Sequence, residues 1–289
     1  MKIDESFPEI FRRPVPAVME GTLILVGGTL LDTPRRDVMP IVRSSDMTFL
    51  RMSKDTRCVM AFGGHAILSG LLECEPRNHY KFLFEPIENI AIPVRPIPTE
   101  EDISTLLDEF ARTRFGWEIV EAHGLHSIVT LADVIPLYRR GVLDTSLRVK
   151  DVASKVFELP KNTKLSKVLL EMMTRSMRRI FISGTNKFVS DREILAHIFS
   201  PTRLAVVKRS PKELLESTLG DVDSVEPILV RGDATLQEVS ELFKPASGGW
   251  CLICEEGVVT PWDLVMKPWK MESLEIRDGL EKDLSQTLT

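Results

Sequence analysis

The sequence predicts an α/β protein built from tandem βαββα repeats. A closing phrase occurs three times: a short apolar strand, then Ser/Thr-x-x-Asp/Glu, then a helix. The copies read Ser127-Ile-Val-Thr130-Leu-Ala-Asp133, Lys187-Phe-Val-Ser190-Asp-Arg-Glu193 and Gly257-Val-Val-Thr260-Pro-Trp-Asp263, spaced by 60 and 70 residues. Ahead of each copy lies a helix pattern with one apolar stripe: Ile103, Leu106, Leu107 and Phe110; Leu165, Val168, Leu169, Met172 and Met173; Leu236, Val239, Leu242 and Phe243. Residues at i, i+3, i+4 and i+7 share one helix face. A second apolar run follows each helix: Trp117–Val120, Ile180–Ile182 and Trp250–Ile253.

In chain order, residues 1–20 hold three prolines and read as an N-terminal arm. Residues 21–76 read as a first, degenerate repeat. Its second strand is expected within Arg35–Val42, its third at Met47–Met52, and its closing helix over Cys58–Leu72. Its phrase, Ser53-Lys-Asp55-Thr56, lacks a carboxylate three residues after the serine. A polar crossover at 74–84 leads to the second repeat, 85–142, entered through Pro86, Pro93, Pro96 and Pro98. Pro136 lies inside its closing helix and is expected to shorten or kink it. The third repeat spans 148–203. A connector over 201–221 is expected to carry a helix around Pro211–Leu219. The fourth repeat spans 221–271, with Pro261 at the first helical position, where a missing N–H is harmless. A polar tail covers 272–289.

This order, with Ser/Thr and an acid at the start of the second helix, resembles the CBS domain. The resemblance covers residues 85–271 in three copies, with a fourth suggested upstream. It implies two pairs of repeats, each a Bateman module, similar in plan to the γ subunit of AMP-activated protein kinase. It also implies a non-enzymatic regulatory protein that binds AMP, ADP or ATP in clefts between paired repeats, with S-adenosylmethionine as a second possible ligand. The alternative is a ligand-free scaffold for oligomerisation or for a partner enzyme. A homodimer is expected.

Residue by residue, the resemblance carries over Thr130 and Asp133, Ser190 and Glu193, Thr260 and Asp263 as nucleotide contacts; Thr260/Asp263 and Thr130/Asp133 are favoured, because Glu193 is longer than the family's usual Asp or Asn. Arg178 and Arg179, directly before the third repeat's second strand, are expected at ligand phosphates, which suit the guanidinium fork. Arg35 and Arg36 hold the matching place in the first repeat, and Arg192 is a further cleft candidate. A helix start offers unpaired N–H groups to a phosphate. The same four residues also form an N-terminal capping pattern, as at Thr99–Asp102 and Thr235–Glu238, so the pattern alone does not decide. His123 and His126 fit a surface turn.

Composition sets the remaining bounds. The 289 residues carry a net charge of −5, which argues against a broad nucleic-acid footprint. No apolar run reaches the length of a bilayer span; Thr22–Leu31 is interrupted by Gly27 and Gly28. No secretory leader pattern opens the chain, and four cysteines lack framework spacing, so a cytoplasmic protein is expected. Cys251 and Cys254 fall on opposite faces of a strand and do not suggest a metal site. No cofactor and no catalytic constellation is expected.

Overall fold

The computed structural model describes residues 1–12, 15–31, 38–42, 58–141, 143, 146–242 and 251–270. Four units follow one another, each with a small sheet, an opening helix and a closing helix. Unit 1 holds β1 (Val18–Met19), β2 (Val38–Val42) and β3 (Val59–Gly63), with β4 (Ile92–Val94) returning beside β3. Unit 2 holds β5 (Ile97–Pro98), β6 (Trp117–Ala122) and β7 (Leu125–Thr130). Unit 3 holds β8 (Glu158–Leu159), β9 (Arg179–Ile182) and β10 (Phe188–Ser190). Unit 4 holds β11 (Ile228–Leu229), β12 (Leu252–Cys254) and β13 (Gly257–Val259). In every unit the first strand runs parallel to the second, and the second antiparallel to the third.

Each sheet has two apolar faces, and the four units bury both by pairing in two directions. Sheet faces pair 1 with 2, through Val38, Val59, Ala61 and Val94 against Trp117 and Ile119. They pair 3 with 4, through Phe181 and Phe188 against Cys251 and Val258. Helix faces pair 1 with 3, where Ile67, Leu68 and Leu71 share a core with Leu165, Leu169, Ile194 and Leu195. They pair 2 with 4, where Leu106, Phe110 and Tyr138 share a core with Leu236, Val239 and Leu264. A unit of this size buries too little surface to be stable alone, which is the physical reason for the doubled pairing.

Short turns are exchanged between paired units. Helix Ile3–Ser6 docks on unit 2, with Ile3 N donating to Glu101 O at 3.0 Å. Helix Val149–Val152 docks on unit 4, with Val149 N donating to Ala234 O at 2.9 Å. The 3-10 turn Ile87–Asn89 docks on unit 1 and the turn Leu219–Asp221 on unit 3, through Ile87 N to Thr22 O at 2.7 Å and Leu219 N to Thr163 O at 2.8 Å. Residues 1–20 are therefore more than an arm: Ile3, Phe7 and Ile10 are core, and β1 belongs to unit 1's sheet.

Unit 1 departs from expectation. Its third strand is Val59–Gly63 and its closing helix Gly64–Glu73, not Cys58–Leu72. Met47–Met52, Ser53 and Arg35–Arg36 lie outside the described residues. Gly63 and Ala66 stand where the other units place Ser/Thr and the acid, so this helix start has no side-chain cap. In unit 2 the closing α-helix stops at Val134 and continues as a 3-10 turn, Ile135–Tyr138, around Pro136. In the connector, an α-helix forms over Pro201–Arg209 and only a 3-10 turn over Pro211–Glu213.

Unit 2 also buries a carboxyl that the pattern did not signal. Glu118 is 2% exposed, and its partner is Thr113 Oγ1 at 2.9 Å. Thr113 Oγ1 lies equally close to Glu109 O, yet a hydroxyl has one proton to donate. That one proton is divided between the Glu109 carbonyl and Glu118 Oε1, so the hydrogen bond offsets little of the cost of burying the carboxylate. Burial is the main cause that pushes the Glu118 pKa up to about 7; the Thr113 hydrogen bond opposes it, Glu109 adds to it and Arg112 opposes it. The folded state then holds the proton more tightly than the unfolded chain. Stability is highest below about pH 4.5 for this group and falls as pH rises towards 7. Glu118→Gln is expected to stabilise the protein at pH 8 by about 3 kcal/mol and to have no effect near pH 4. Urea unfolding at the two pH values checks this.

Candidate functional site

The three closing phrases fold alike. Thr130 N and Oγ1 both donate to Asp133 Oδ2 at 2.9 Å. Ser190 N donates to Glu193 Oε2 at 2.8 Å, and its hydroxyl to the same oxygen. Thr260 N and Oγ1 donate to Asp263 Oδ2 at 2.9 and 2.7 Å. These are capping boxes, and the same geometry recurs at Thr218–Asp221 and Thr235–Glu238, away from any third strand. The phrase by itself thus builds helix starts. What surrounds each copy distinguishes them.

The cross-strand partner of each phrase is the most informative difference. Register places Val38 opposite Gly63, Trp117 opposite Thr130, and Arg179 opposite Ser190. One step beyond the Leu252–Val259 pair, Cys251 comes opposite Thr260. Strand alternation turns all four pairs towards the interface between paired sheets. In units 1 and 2 that interface is apolar. Trp117 is buried there and stacks on Phe115 at 5.1 Å. In units 3 and 4 this end of the interface carries Arg179, Ser190 and the Cys251 thiol beside the apolar Phe181, Phe188 and Val258. Burial pushes that thiol up to about 11, so it stays neutral.

Arg179 is the anomaly of the molecule. Its Nε is closed to solvent, and the side chain has no hydrogen bond or ion pair among the described residues. Burial lowers its pKa and the charge of Arg178 works the same way, while Cys251, Asp191 and Glu193 oppose it. A guanidinium so placed is costly unless an anion completes it. Arg178, by contrast, is paired: Nε donates to Asp191 Oδ2 at 2.7 Å, at the first position of the closing helix Asp191–Ile198. Arg192 sits in the same first turn, and its backbone N–H donates to Ser190 Oγ at 3.2 Å. His65, from unit 1's closing helix, senses both Asp191 and Arg178, although burial dominates and lowers its pKa. Ser190, Glu193, Arg178 and Arg179 are therefore brought together.

The unit 4 copy is occupied by the chain itself. Asp263 is 5% exposed, and its Oδ1 accepts from Ser154 Oγ at 2.7 Å and faces Lys267 Nζ at 3.2 Å. Lys267 Nζ also donates to Val152 O, Ala153 O and Ser154 Oγ at 2.7, 3.0 and 2.8 Å. Ser154 exchanges backbone bonds with Val258 at 2.8 Å, and Gly257, at φ +145°, leaves room for the Ser154 carbonyl. Asp263 thus fastens the segment ahead of unit 3 onto unit 4. Neither Ser154 nor Lys267 carries a motif that would have drawn attention to it; only the i,i+4 spacing of Asp263 and Lys267 on one helix was available as a signal.

The remaining candidates are peripheral. His123, at φ +51°, and Gly124, at φ +77°, form the turn between β6 and β7, and His126 lies 3.7 Å from Glu121. Cys251 packs at the sheet interface while Cys254 faces the helix side, as strand alternation requires. No group of three or more His, Cys, Asp or Glu among the described residues is arranged to hold a metal. No helix among them is long and apolar enough to cross a membrane.

No protein-family model and no curated protein matches the sequence. Solved structures do match. A protein from Methanocaldococcus jannaschii, proposed as an archaeal homologue of γ-AMPK, superposes with a TM-score of 0.74 at 15% identity, over 92% of this chain and 99% of its own. An uncharacterized conserved protein from Pyrococcus horikoshii superposes at 0.47 and 13% identity, over 81% and 92%. A CBS domain protein from Pyrobaculum aerophilum complexed with AMP superposes at 0.37 and 12% identity, over 49% and 95%. The chain has the tandem CBS-repeat fold, four βαββα units paired into two Bateman modules.

Proposed function

We propose that this protein is a non-enzymatic regulatory sensor that binds an adenine nucleotide, AMP, ADP or ATP, between the sheets of units 3 and 4. The observation that carries the reading is the unpaired guanidinium of Arg179 facing Ser190 across β9 and β10. A phosphate there completes Arg179 and can draw Arg178 from Asp191. The helix start at Ser190 adds backbone donors and a favourable dipole. The Glu193 carboxylate uses one oxygen in capping and keeps acceptor capacity for ribose hydroxyls. A phosphate-bearing ligand suits two arginines better than S-adenosylmethionine, whose sulfonium adds positive charge.

The likeness to a protein proposed as an archaeal homologue of γ-AMPK supports a regulatory role exerted on a partner enzyme or through a homodimer. The scaffold reading applies to the first module, where Trp117 and Phe115 fill the sheet interface and Gly63 and Ala66 offer neither hydroxyl nor acid. Ligand binding alters a partner surface only by favouring one packing of units 3 and 4 over another. Thermal unfolding against AMP, ADP, ATP, S-adenosylmethionine and GTP tests the proposal. A nucleotide at about 100 times its dissociation constant is expected to stabilise by about 2.7 kcal/mol. No shift with any adenine nucleotide, starting from ligand-free protein, overturns it.

A further inference from the structure

A second polar cleft lies at the opposite end of the Asp191–Ile198 helix, outside every sheet interface. It measures about 510 Å³ and is lined by His197, Arg203, Glu213, Glu216, Ser217 and Asp221. Two of its nitrogens, His197 Nε2 and Arg203 Nε, are closed to bulk water and have no hydrogen-bond partner. Arg203 Nε is a donor in every state and His197 Nε2 is one in its Nε2–H tautomer; buried polar atoms without partners are rare, and two in one wall point to an acceptor that belongs there. Ser217, 9% exposed, also lines the cleft. Arg203 is held rigidly, since its terminal nitrogen donates to Leu214 O at 3.2 Å and to Glu213 O. It cannot swing out to solvent without releasing the Pro211–Glu213 turn.

The rest of the lining has the opposite sign. Glu213 and Glu216 stand exposed at the rim, and Glu216 is shared with Lys164. The Asp221 carboxylate caps its own turn through Thr218, which holds its pKa below the usual range. Burial, and next the charge of Arg203, lower the His197 pKa, while Asp221 and Asp223 act to raise it. A purely anionic ligand would meet these carboxylates, and a purely cationic one would meet Arg203. A ligand carrying both charges satisfies both walls.

We infer that this cleft is a binding site for a small zwitterion of the amino-acid class, with its carboxylate towards His197, Arg203 and Ser217 and its ammonium towards the glutamates. The site stands independently of the nucleotide reading. Were both true, the helix from Ser190 to His197 would join them, and any coupling between the ligands would be reciprocal.

Calorimetric titration of the full chain with a panel of L-amino acids tests this, with acetate and methylamine as half-ligands. At least one amino acid is expected to bind saturably, and about 10-fold or more tighter than either half-ligand. Arg203→Gln is expected to weaken it about 10-fold or more. Glu213→Gln, which leaves the backbone contacts of Arg203 intact, is expected to do so without loss of fold. Absence of binding by every amino acid overturns the inference. Equal binding of acetate, or affinity unchanged in both variants, overturns it as well.

Discussion

Replacing Arg179 with methionine is expected to stabilise the ligand-free protein and weaken adenine-nucleotide binding at the same time. The two effects share one cause. Without ligand, the guanidinium sits unpaired at the interface of units 3 and 4, its Nε sealed from water. Exchanging an unsatisfied buried polar group for an apolar one of similar length relieves on the order of 1–3 kcal/mol. With ligand, the same group is lost as a charge-assisted donor. That costs about 1.5–3 kcal/mol, or roughly 10- to 100-fold in affinity. Urea unfolding and calorimetry on one pair of proteins check both signs. If Arg179 had only a packing role, methionine would leave binding unchanged.

Asp263→Ala is expected to behave in the opposite way, as a stability mutant. It leaves the Lys267 ammonium, 33% exposed, beside Ser154 without its carboxylate, and it strips Thr260 of its cap. Removing one partner of a buried pair costs 3–5 kcal/mol; this pair is partly open, so about 3 kcal/mol is expected. Asp263→Ala combined with Lys267→Met should recover part of that loss, because the stranded ammonium is gone. Glu238→Ala, at an exposed capping box, serves as reference and should cost much less than Asp263→Ala. Urea unfolding of the four proteins separates anchor from cap.

Much of the fold was legible in the sequence. The three phrases, the helical stripes and the effect of Pro136 all arise from short-range chemistry, which a single sequence displays. Cys251 and Cys254 part to opposite faces because strand periodicity is fixed. The first unit was harder to read. Cys58–Leu72 is one apolar run, and such runs do not separate strand from helix by periodicity. The Gly63–Gly64 pair, where strand gives way to helix, was the signal within it. The exchanged turns were not legible, because Lys2 meets Asp102 and Arg148 meets Thr235 across long separations with no repeating pattern.

The site was legible in its residues and not in its ranking. Ser190, Glu193, Arg178 and Arg179 stand together, whereas the sequence favoured Thr260/Asp263 and Thr130/Asp133 over this copy because of the longer Glu193. The difference among the three phrases lies in the neighbouring strand and in distant partners: Trp117 opposite Thr130, Arg179 opposite Ser190, Ser154 and Lys267 around Asp263. Register and tertiary contacts decide which copy keeps polar capacity to spare. A capping box marks a candidate place only where it follows the third strand of a unit, and its cross-strand partner then marks whether polar capacity is left there.

The most direct test is calorimetric titration of the ligand-free full chain with ATP and with AMP, for the wild type and Arg179→Met. The account predicts a single saturable site per chain, lost or weakened about 10-fold or more in the variant. Several equivalent sites, or one site indifferent to Arg179, would contradict it.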